Sequence, residues 1–302
     1  MSPKACAAPP RTPAALRERI RSLTHTTQGR LEESRRLFSC TSWQNELHSR
    51  RIEGLISIES ATDWTGLREV GHLAHLTLEA LEREVRPGVT TADLDRVAAA
   101  VFARHGGHSA PARVYGFPGT VLISVNDEVV HGIPGPRRIE RGDVVKLDVT
   151  VEKGGYVADA ARTVLVESTT DLAKRLTACA AAAFEAALVV ARAGNRVSSI
   201  GRAVEREVRR SGFTVIRSLQ GHGVGRTIHE PPSVPNFYDR WQEDMLTEGL
   251  VITIEPIISA GSARVVESSD GWTIRTRDGS LAAHHEHTIV ITRDLPVILT
   301  AA

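Results

Sequence analysis

The feature that most constrains this fold is a pair of aspartates in residues 144–166, VVKLDVTVEKGGYVADAARTVLV. Two runs rich in β-branched residues flank a Glu-Lys-Gly-Gly segment, a pattern that predicts a β-hairpin. If Lys153 and Gly154 form the turn, Asp148 and Asp159 lie directly opposite each other. Opposed like charges destabilise a sheet unless a cation neutralises them. The hairpin therefore indicates either a cation site or a longer loop that points one aspartate into water.

Composition limits the classes of protein to consider. The chain has 302 residues, enough for one large α/β domain or two ordinary ones. Its 37 basic and 36 acidic side chains give no sign of a nucleic-acid or anionic-membrane partner. Three scattered cysteines suit neither a disulfide framework nor a thiolate metal site. Without a secretory or membrane-spanning pattern, we expect a soluble, cytoplasmic protein.

The first 55 residues differ from the rest of the chain. They contain several prolines and many arginines but few periodic apolar positions, so we predict a largely irregular N-terminal extension over residues 1–55 and a folded domain over residues 56–302. Pro10 and Pro13 match a P-x-x-P pattern, which is found both in polyproline ligands and in solvated tails.

The folded region contains a weak internal repeat. Apolar periodicity predicts helices over residues 62–85, 91–104, 171–193 and 197–210. A constant offset of 106 relates four pairs of residues in these segments, Gly88 and Gly194, Leu94 and Ile200, Arg96 and Arg202, and Gly106 and Gly212. The offset indicates a duplicated α/β half, although helices of similar length could produce it by chance.

Several further polar residues stand where chemistry is expected. A predicted hairpin over residues 121–130 delivers His131 to a Gly/Pro-rich loop, and glycines flank His222 seven residues before His229. Glu255 and Glu286 lie at the edges of strands apolar enough to be buried. An unpaired buried carboxylate costs several kcal/mol, so each glutamate needs either an arginine partner or a metal ion.

These residues combine into a candidate metal site with four carboxylates and one imidazole, formed by Asp148, Asp159, His222, Glu255 and Glu286. Such an oxygen-rich set suits Mn, Fe, Co or Zn. Its charge of about −4 balances two divalent ions better than one, as in hydrolytic two-metal sites.

Five segments resemble the successive signatures of type I methionine aminopeptidases, namely VLISVNDEVVHGIPG, residues 144–166, GHGVGRTIHEPP, VITIEP and EHTIVIT. The resemblance implies the α/β (α+β) pita-bread fold, with two pseudo-twofold related halves and helices outside a curved, mostly antiparallel sheet. Residues 56–302 would then be a metallo-aminopeptidase catalytic domain. The implied activity is removal of the initiator methionine from nascent proteins and peptides with a small second residue, by a hydroxide that two metal ions activate.

The same resemblance implies a role for each ligand. Asp159 and Glu286 bridge the two ions, Asp148 chelates one of them, and His222 and Glu255 bind the other. The identity of the ions stays open among Co, Mn, Fe and Zn.

The resemblance also implies catalytic and substrate-binding residues. His229 stabilises the tetrahedral intermediate, His131 contacts the substrate near the scissile nitrogen, and Glu255 relays a proton. The pocket positions correspond to Pro111, Tyr115, Phe117, Leu122, Ile228 and Trp272. Tyr115, after Val114, replaces a histidine common in relatives, and Leu122 replaces a cysteine, so the pocket departs from the family pattern.

Expected partners are nascent polypeptide N-termini and, through the extension, the ribosome; a monomer is expected.

Three alternatives to this function remain open at this point. A proline-specific aminopeptidase P or prolidase would share the five ligands but would need a large extra N-terminal domain. The others are a divergent hydrolase of the same fold with altered N-terminal residue specificity, and a non-catalytic binding module.

Overall fold

A computed structural model describes residues 57–301, so the predicted extension and its P-x-x-P pattern lie outside the described residues. The helices are α1 (Ala61–Glu84), α2 (Thr91–His105), α3 (Ala110–Tyr115), α4 (Asp171–Val190) and α5 (Val197–Arg210). The strands of the first half are β1 (His108–Ser109), β2 (Leu122–Val125), β3 (Glu128–Val130), β4 (Val144–Lys153) and β5 (Tyr156–Leu165). Those of the second half are β6 (Thr214–Val215), β7 (Gln220–Gly223), β8 (Glu230–Pro235), β9 (Val251–Ile254), β10 (Ile257–Ser259), β11 (Val265–Glu267), β12 (Ile274–Thr276), β13 (Ala282–His284), β14 (Glu286–Val290) and β15 (Val297–Ile298).

The four predicted long helices are confirmed, and local chemistry explains their ends. Ser60 caps α1 by accepting a hydrogen bond from the backbone N–H of Asp63. Thr90 and Asp93 form a capping box at the start of α2. Gly106 ends that helix with a φ of 70°, a conformation that favours glycine.

One large sheet and two small ones carry the strands. The large sheet has the order β1-β4-β5-β14-β9-β7-β8, with β2 against β4 and β15 against β14. The small sheets have the orders β13-β10-β6 and β11-β12-β3. All of these strand pairs are antiparallel, as the pita-bread resemblance implies.

The chain reverses direction over residues 121–130 as predicted, and the Ile123 N–H donates to the Gly132 carbonyl at 2.9 Å, but β2 and β3 do not form a two-stranded ladder with each other. β2 pairs with β4 in the large sheet, whereas β3 pairs with β12 in a small one. Glu128 Oε2 accepts a hydrogen bond from the backbone N–H of Val125 at 2.7 Å, which stabilises the turn between β2 and β3. His131 still follows β3 directly.

Strand alternation separates an apolar helix-covered face from a polar face. In β4, Val145, Leu147 and Val149 share a core with buried residues of α1 and α2. In β9, Ile252 and Ile254 share a second core with residues of α4 and α5. Because successive side chains of a strand point to opposite faces, the even-numbered residues of β4 and the odd-numbered residue Thr253 of β9 face the other way.

The internal repeat is visible in the backbone. Helix α5 begins 106 residues after α2, and the glycines before them, Gly88 and Gly194, have φ values of 92° and 89°. The equivalent residues Leu94 and Ile200 are both fully buried. Within the described residues, no helix is both long and apolar enough to cross a membrane.

Candidate metal centre

The two aspartates lie on one face of the β4–β5 hairpin, in a register that differs from the predicted one. Asp148 is opposite Ala161, and Asp159 is opposite Thr150. Direct opposition of the two aspartates was therefore a wrong prediction. They are instead diagonal neighbours, which on one face of an antiparallel pair still lie within reach of each other.

The turn explains the shift in register. Lys153 pairs with Tyr156, so the two turn residues are Gly154 and Gly155, with φ values of 61° and 82°. A two-residue turn with positive φ at both positions matches the twist of a hairpin and favours glycine at each. Placing Lys153 in the turn would force a long side chain into this conformation.

Neighbouring strands extend the polar face. Glu286 at the start of β14 is opposite Ala161 of β5, which places its side chain on the same face as the aspartates. Farther along the sheet, the backbone N–H of His222 donates a hydrogen bond to Thr253 Oγ1 at 3.1 Å. Strands distant in sequence thus present their acids and imidazole to one space.

The donor atoms form two groups that share one carboxylate. Asp159, His222 and Glu286 each offer one ligand atom, and these atoms lie within 4.8 Å of one another. Asp148, His284 and Glu286 form a second such group. Shared membership gives Glu286 the position that a bridging ligand of two ions requires.

Glu255 completes the convergence of the five predicted ligands. Its Oε2 lies 3.8 Å from His222 Nε2, and its side chain lines the same cavity as the other four ligands. The sequence argument did not include His284, although its position two residues before Glu286 in an extended segment was a usable signal.

Three threonines, which sequence reasoning also missed, position the acidic residues, two through the carboxylate and one through the backbone. Thr150 Oγ1 donates to Asp159 Oδ1 at 2.9 Å, and Thr253 Oγ1 donates to Glu255 Oε2 at 3.2 Å. Thr288 Oγ1 accepts from the Asp159 N–H at 2.9 Å and donates to its carbonyl at 2.7 Å. Such hydrogen bonds orient metal ligands.

Electrostatics explain why these acids need a cation. Burial, followed by mutual repulsion, raises the pKa of Asp148, Asp159 and Glu255 well above the usual range. Burial also raises the pKa of Glu286 to about 7. In the absence of a cation these groups therefore hold protons that an exposed acid would release.

The buried histidines that line the cavity are neutral. Burial lowers the pKa of His222 to about 4, and its Nδ1 lies 2.9 Å from the carbonyl oxygen of Gly223. Only an N–H can hydrogen bond to that carbonyl, so Nδ1 carries the proton and Nε2 keeps the lone pair that a metal binds.

His131 and His229 lie beside the donor groups. His131 has a φ of 60°, a left-handed conformation that is uncommon for residues other than glycine. Burial and then His284 lower its pKa to about 4. The ring of His229 lies 4.3 Å from that of His222, and its Nδ1 makes a hydrogen bond with the Tyr115 hydroxyl. Burial lowers its pKa well below 6.5.

An apolar cavity opens beside the donors. Its apolar and aromatic lining comes from Pro111, Tyr115, Leu122, Val130, Leu219, Ile228, Ile257 and Ile274, and His131 and His229 also line it. Phe117 and Trp272 lie one layer back, edge to face at 5.2 Å, in a cluster with Leu122. Of the predicted pocket residues, these two support the wall, whereas Tyr115, Leu122 and Ile228 form it.

The donor set fits divalent metal ions. Among the described residues, Glu286 Oε1 and both ring nitrogens of His284 are buried without a hydrogen-bond partner. Buried polar atoms rarely lack a partner in folded proteins. Bound cations would satisfy these atoms and neutralise the four clustered carboxylates.

Comparisons with known proteins agree with this geometry. Residues 65–293 match the model of metallopeptidase family M24. The chain is 45% identical over 237 residues to methionine aminopeptidase 2 of Bacillus subtilis, covering 78% of this chain and 95% of that protein. It is 39% identical to a methionine aminopeptidase of Staphylococcus epidermidis, covering 80% of this chain and 98% of that protein.

Solved structures give the same family likeness. The methionine aminopeptidase of Rickettsia prowazekii superimposes with a TM-score of 0.79 at 35% identity, covering 82% of this chain and all of that one. The prolidase of Pyrococcus furiosus shares the fold, with a TM-score of 0.66 at 22% identity, and the match covers 81% of this chain but only 65% of the prolidase.

Proposed function

Because the chain belongs to metallopeptidase family M24, we propose that it is a metal-dependent methionyl aminopeptidase that removes the initiator methionine from nascent proteins and peptides with a small second residue. The observation that carries the proposal is the pair of donor groups sharing Glu286 at one side of an apolar cavity. Two metal ions bound there could act on a peptide bond while the cavity holds the side chain of the substrate's first residue.

The ions would be held by Asp148, Asp159, His222, Glu255 and Glu286. Two divalent ions supply a water of lowered pKa and stabilise the charge that develops on the carbonyl oxygen. Co, Mn, Fe and Zn all suit this donor set.

Side chains of the cavity carry out the other steps of peptide hydrolysis. His229 lines the cavity and its Nδ1 bonds with Tyr115, and we assign its other ring nitrogen a hydrogen bond to the substrate carbonyl oxygen as that oxygen gains negative charge. His131 contacts the substrate near the scissile nitrogen. As the new C–O bond forms and the C–N bond breaks, Glu255 accepts the proton of the attacking water and passes it to the leaving nitrogen.

The cavity wall supports a preference for methionine. Leu122 and Ile228 present apolar surface that can bury a thioether side chain, and full burial of methionine contributes roughly 1.5 to 3 kcal/mol. Because Leu122 and Tyr115 differ from the residues common in relatives, a hydrolase with altered N-terminal specificity is the second candidate. The convergence of all five ligands argues against a non-catalytic binding module.

A metal titration coupled to a peptide assay tests the function. Metal-free protein is titrated with Co²⁺, Mn²⁺, Fe²⁺ and Zn²⁺ while methionine release from a Met-Ala-Ser peptide is measured. We expect activation by at least one ion and a marked fall when the second residue is large. Equal cleavage of Leu- and Phe-initiated peptides would overturn methionine specificity, and absence of cleavage with ions bound would overturn the enzyme.

Two histidine variants test the assigned roles. His131→Ala and His229→Ala should lower turnover by roughly a hundredfold while still binding metal, because neither belongs to the five proposed ligands. Full turnover in His229→Ala would show that another group stabilises the intermediate.

The proposed partners and setting follow from the substrate. Nascent chains are present in the cytoplasm, where we place the protein, acting as a monomer without direct nucleic-acid or membrane contact. The basic extension at residues 1–55 is proposed to contact the ribosome. Co-sedimentation of the full chain and of a chain lacking residues 1–55 with ribosomes tests this contact, and equal recovery of both would exclude it.

A further inference from the structure

His284 lies at the end of β13 with only 2% of its surface exposed. Its backbone is held on both sides by one residue, since the His284 N–H donates to Thr163 Oγ1 at 2.9 Å and the Thr163 hydroxyl donates to the His284 carbonyl at 2.7 Å. The ring, in contrast, makes no hydrogen bond through either nitrogen within the part of the chain that the structure describes. β13 therefore ends in a buried imidazole, and neither of its nitrogens has a hydrogen-bond partner among the described residues.

The carboxylate that the two donor groups share lies close to this ring. His284 Nε2 lies 3.3 Å from Glu286 Oε2, without the geometry of a hydrogen bond. Two donors that each lie about 2.1 Å from one ion, at a roughly tetrahedral angle, are about 3.4 Å apart. Asp148 adds a carboxylate oxygen within 4.8 Å of both. The spacing is therefore that of atoms arranged around an ion.

We propose that His284 is a sixth metal ligand, binding through Nε2 the ion that Asp148 and Glu286 hold. The ligand assignment that the family resemblance implies gives this ion carboxylates only, with the imidazole of His222 on the other ion. His284 is neutral, so its ligation leaves the balance of four carboxylates against two divalent ions unchanged. The proposal rests on the proposed function only in requiring that the site binds metal.

An imidazole at this position has a consequence for metal choice. Carboxylate and water ligands suit Mg and Mn, whereas imidazole suits Zn, Fe, Ni and Cu. The ion on the Asp148 side should therefore bind more tightly, and discriminate more strongly against Mg²⁺, than a site built from carboxylates alone.

The experiment counts imidazole ligands directly. The protein is loaded with two equivalents of Co²⁺, and proton NMR records the contact-shifted, solvent-exchangeable N–H signals that arise only from histidine rings bonded to the paramagnetic ion. Calorimetry measures the affinity for each Co²⁺ equivalent. His284→Gln removes the proposed ligand. His285→Gln is the matched control, because His285 packs its ring against Phe184 of α4 at 5.4 Å and belongs to neither donor group.

We expect two such signals in the unmodified protein, one from His222 and one from His284. His284→Gln should lose one signal and bind one Co²⁺ equivalent roughly tenfold or more weakly, whereas His285→Gln should keep both signals and both affinities. A single signal in the unmodified protein overturns the proposal even if the variant fails to fold. Two signals that persist in a folded His284→Gln also overturn it.

The two proposals fail separately. Two imidazole signals without methionine release would leave the His284 ligand in place and overturn the aminopeptidase function. Methionine release with a single imidazole signal would do the reverse.

Discussion

Tyr115 illustrates how one residue can adapt a shared site. At the position where the family resemblance implies histidine, this chain has a phenol whose hydroxyl bonds to His229 Nδ1. Burial raises the pKa of Tyr115 above its usual value, so the hydroxyl keeps its proton at neutral pH. A phenol that donates to Nδ1 leaves the ring proton of His229 on Nε2, where it can donate to substrate.

Tyr115→Phe should therefore lower kcat by roughly tenfold, the value of one hydrogen bond of about 1.4 kcal/mol, with little change in KM or metal content. Steady-state kinetics and metal analysis measure these quantities. Tyr156→Phe is the control, because it also removes a hydroxyl, one that donates to Asp63 at 2.9 Å and contacts none of the catalytic residues proposed here. An unchanged kcat in Tyr115→Phe would show that His229 is oriented by other contacts.

Among the elements, the β4–β5 hairpin decides the geometry of the site. Each residue of slip in its register would turn a strand's side chains to the opposite face. The Gly154–Gly155 turn selects the register that keeps Asp148, Asp159 and Thr150 on the cavity side while Leu147 and Val149 remain in the helix-covered core. The turn, although exposed and distant from the reaction, thus controls where the ligands lie.

Substitutions at the turn should separate backbone strain from side-chain contacts. A Cβ added at Gly154 meets no atom within 4 Å, so only its φ of 61° limits substitution. Gly154→Val should lower the free energy of unfolding by about 1 to 2 kcal/mol, whereas Gly154→Asn should change it little, because asparagine tolerates this conformation. Denaturant unfolding measures both. Equal stability of the two variants would contradict the role given to backbone conformation.

At the scale of the whole molecule, the described fold is anchored from its first residues. The backbone N–H groups of Ser57 and Ile58 donate to the Gly249 carbonyl at 3.2 and 3.1 Å, and Ser57 Oγ accepts from the Val251 N–H at 3.0 Å. These bonds join the start of the first half to the second half. The boundary of the extension near residue 55 stays a prediction.

Removal of residues 1–55 should leave peptide hydrolysis and the melting temperature unchanged. Removal of residues 1–60 should lower stability by about 1 to 3 kcal/mol, because it deletes the Ser57 bonds and the Ser60 cap of α1. Thermal unfolding and the methionine-release assay on both truncations test the boundary. A large loss of hydrolysis in the shorter deletion would place catalytic function in the extension.

The buried charges make the stability of the molecule depend on metal and pH together. Between pH 6.5 and 8, the folded metal-free protein retains protons on carboxylates of raised pKa, Glu286 at about 7 among them, that the unfolded chain has released. A folded state that binds more protons loses stability as pH rises, by up to about 1.4 kcal/mol per pH unit for each proton. Metal ions replace those protons, so the stability of the metal-bound protein should not fall with pH in this way.

The increase in melting temperature that saturating Mn²⁺ produces should therefore grow from pH 6.5 to 8. Lys146, whose pKa burial lowers to about 7, titrates in the same range. Because its pKa is lowered, Lys146 makes the fold more stable as pH rises. This contribution is the same with Mn²⁺ and with chelator, so it largely cancels from the difference in melting temperature. Calorimetry with Mn²⁺ and with chelator measures the difference, and a constant or shrinking increase would contradict the raised carboxylate pKa values.

Local patterns in the sequence determined much of this protein. Helical periodicity placed the four long helices, the offset of 106 predicted a repeat that the backbone follows, and isolated acids beside apolar strands singled out the five donors that the structure brings together. The helices and the buried acids were readable because each depends on residues within one helix or one strand, and the repeat was readable because it compares two such local patterns.

Tertiary structure alone decided the rest. The hairpin register depends on a choice between adjacent turn positions, and the separation of β2 from β3 depends on partners far along the chain. Only the structure shows that His284 belongs to a donor group and that Phe117 and Trp272 lie behind the cavity wall, because strands from opposite halves meet there. The packing of elements that are distant in sequence determines which side chains share a cavity. No local pattern along the chain encodes how such elements pack.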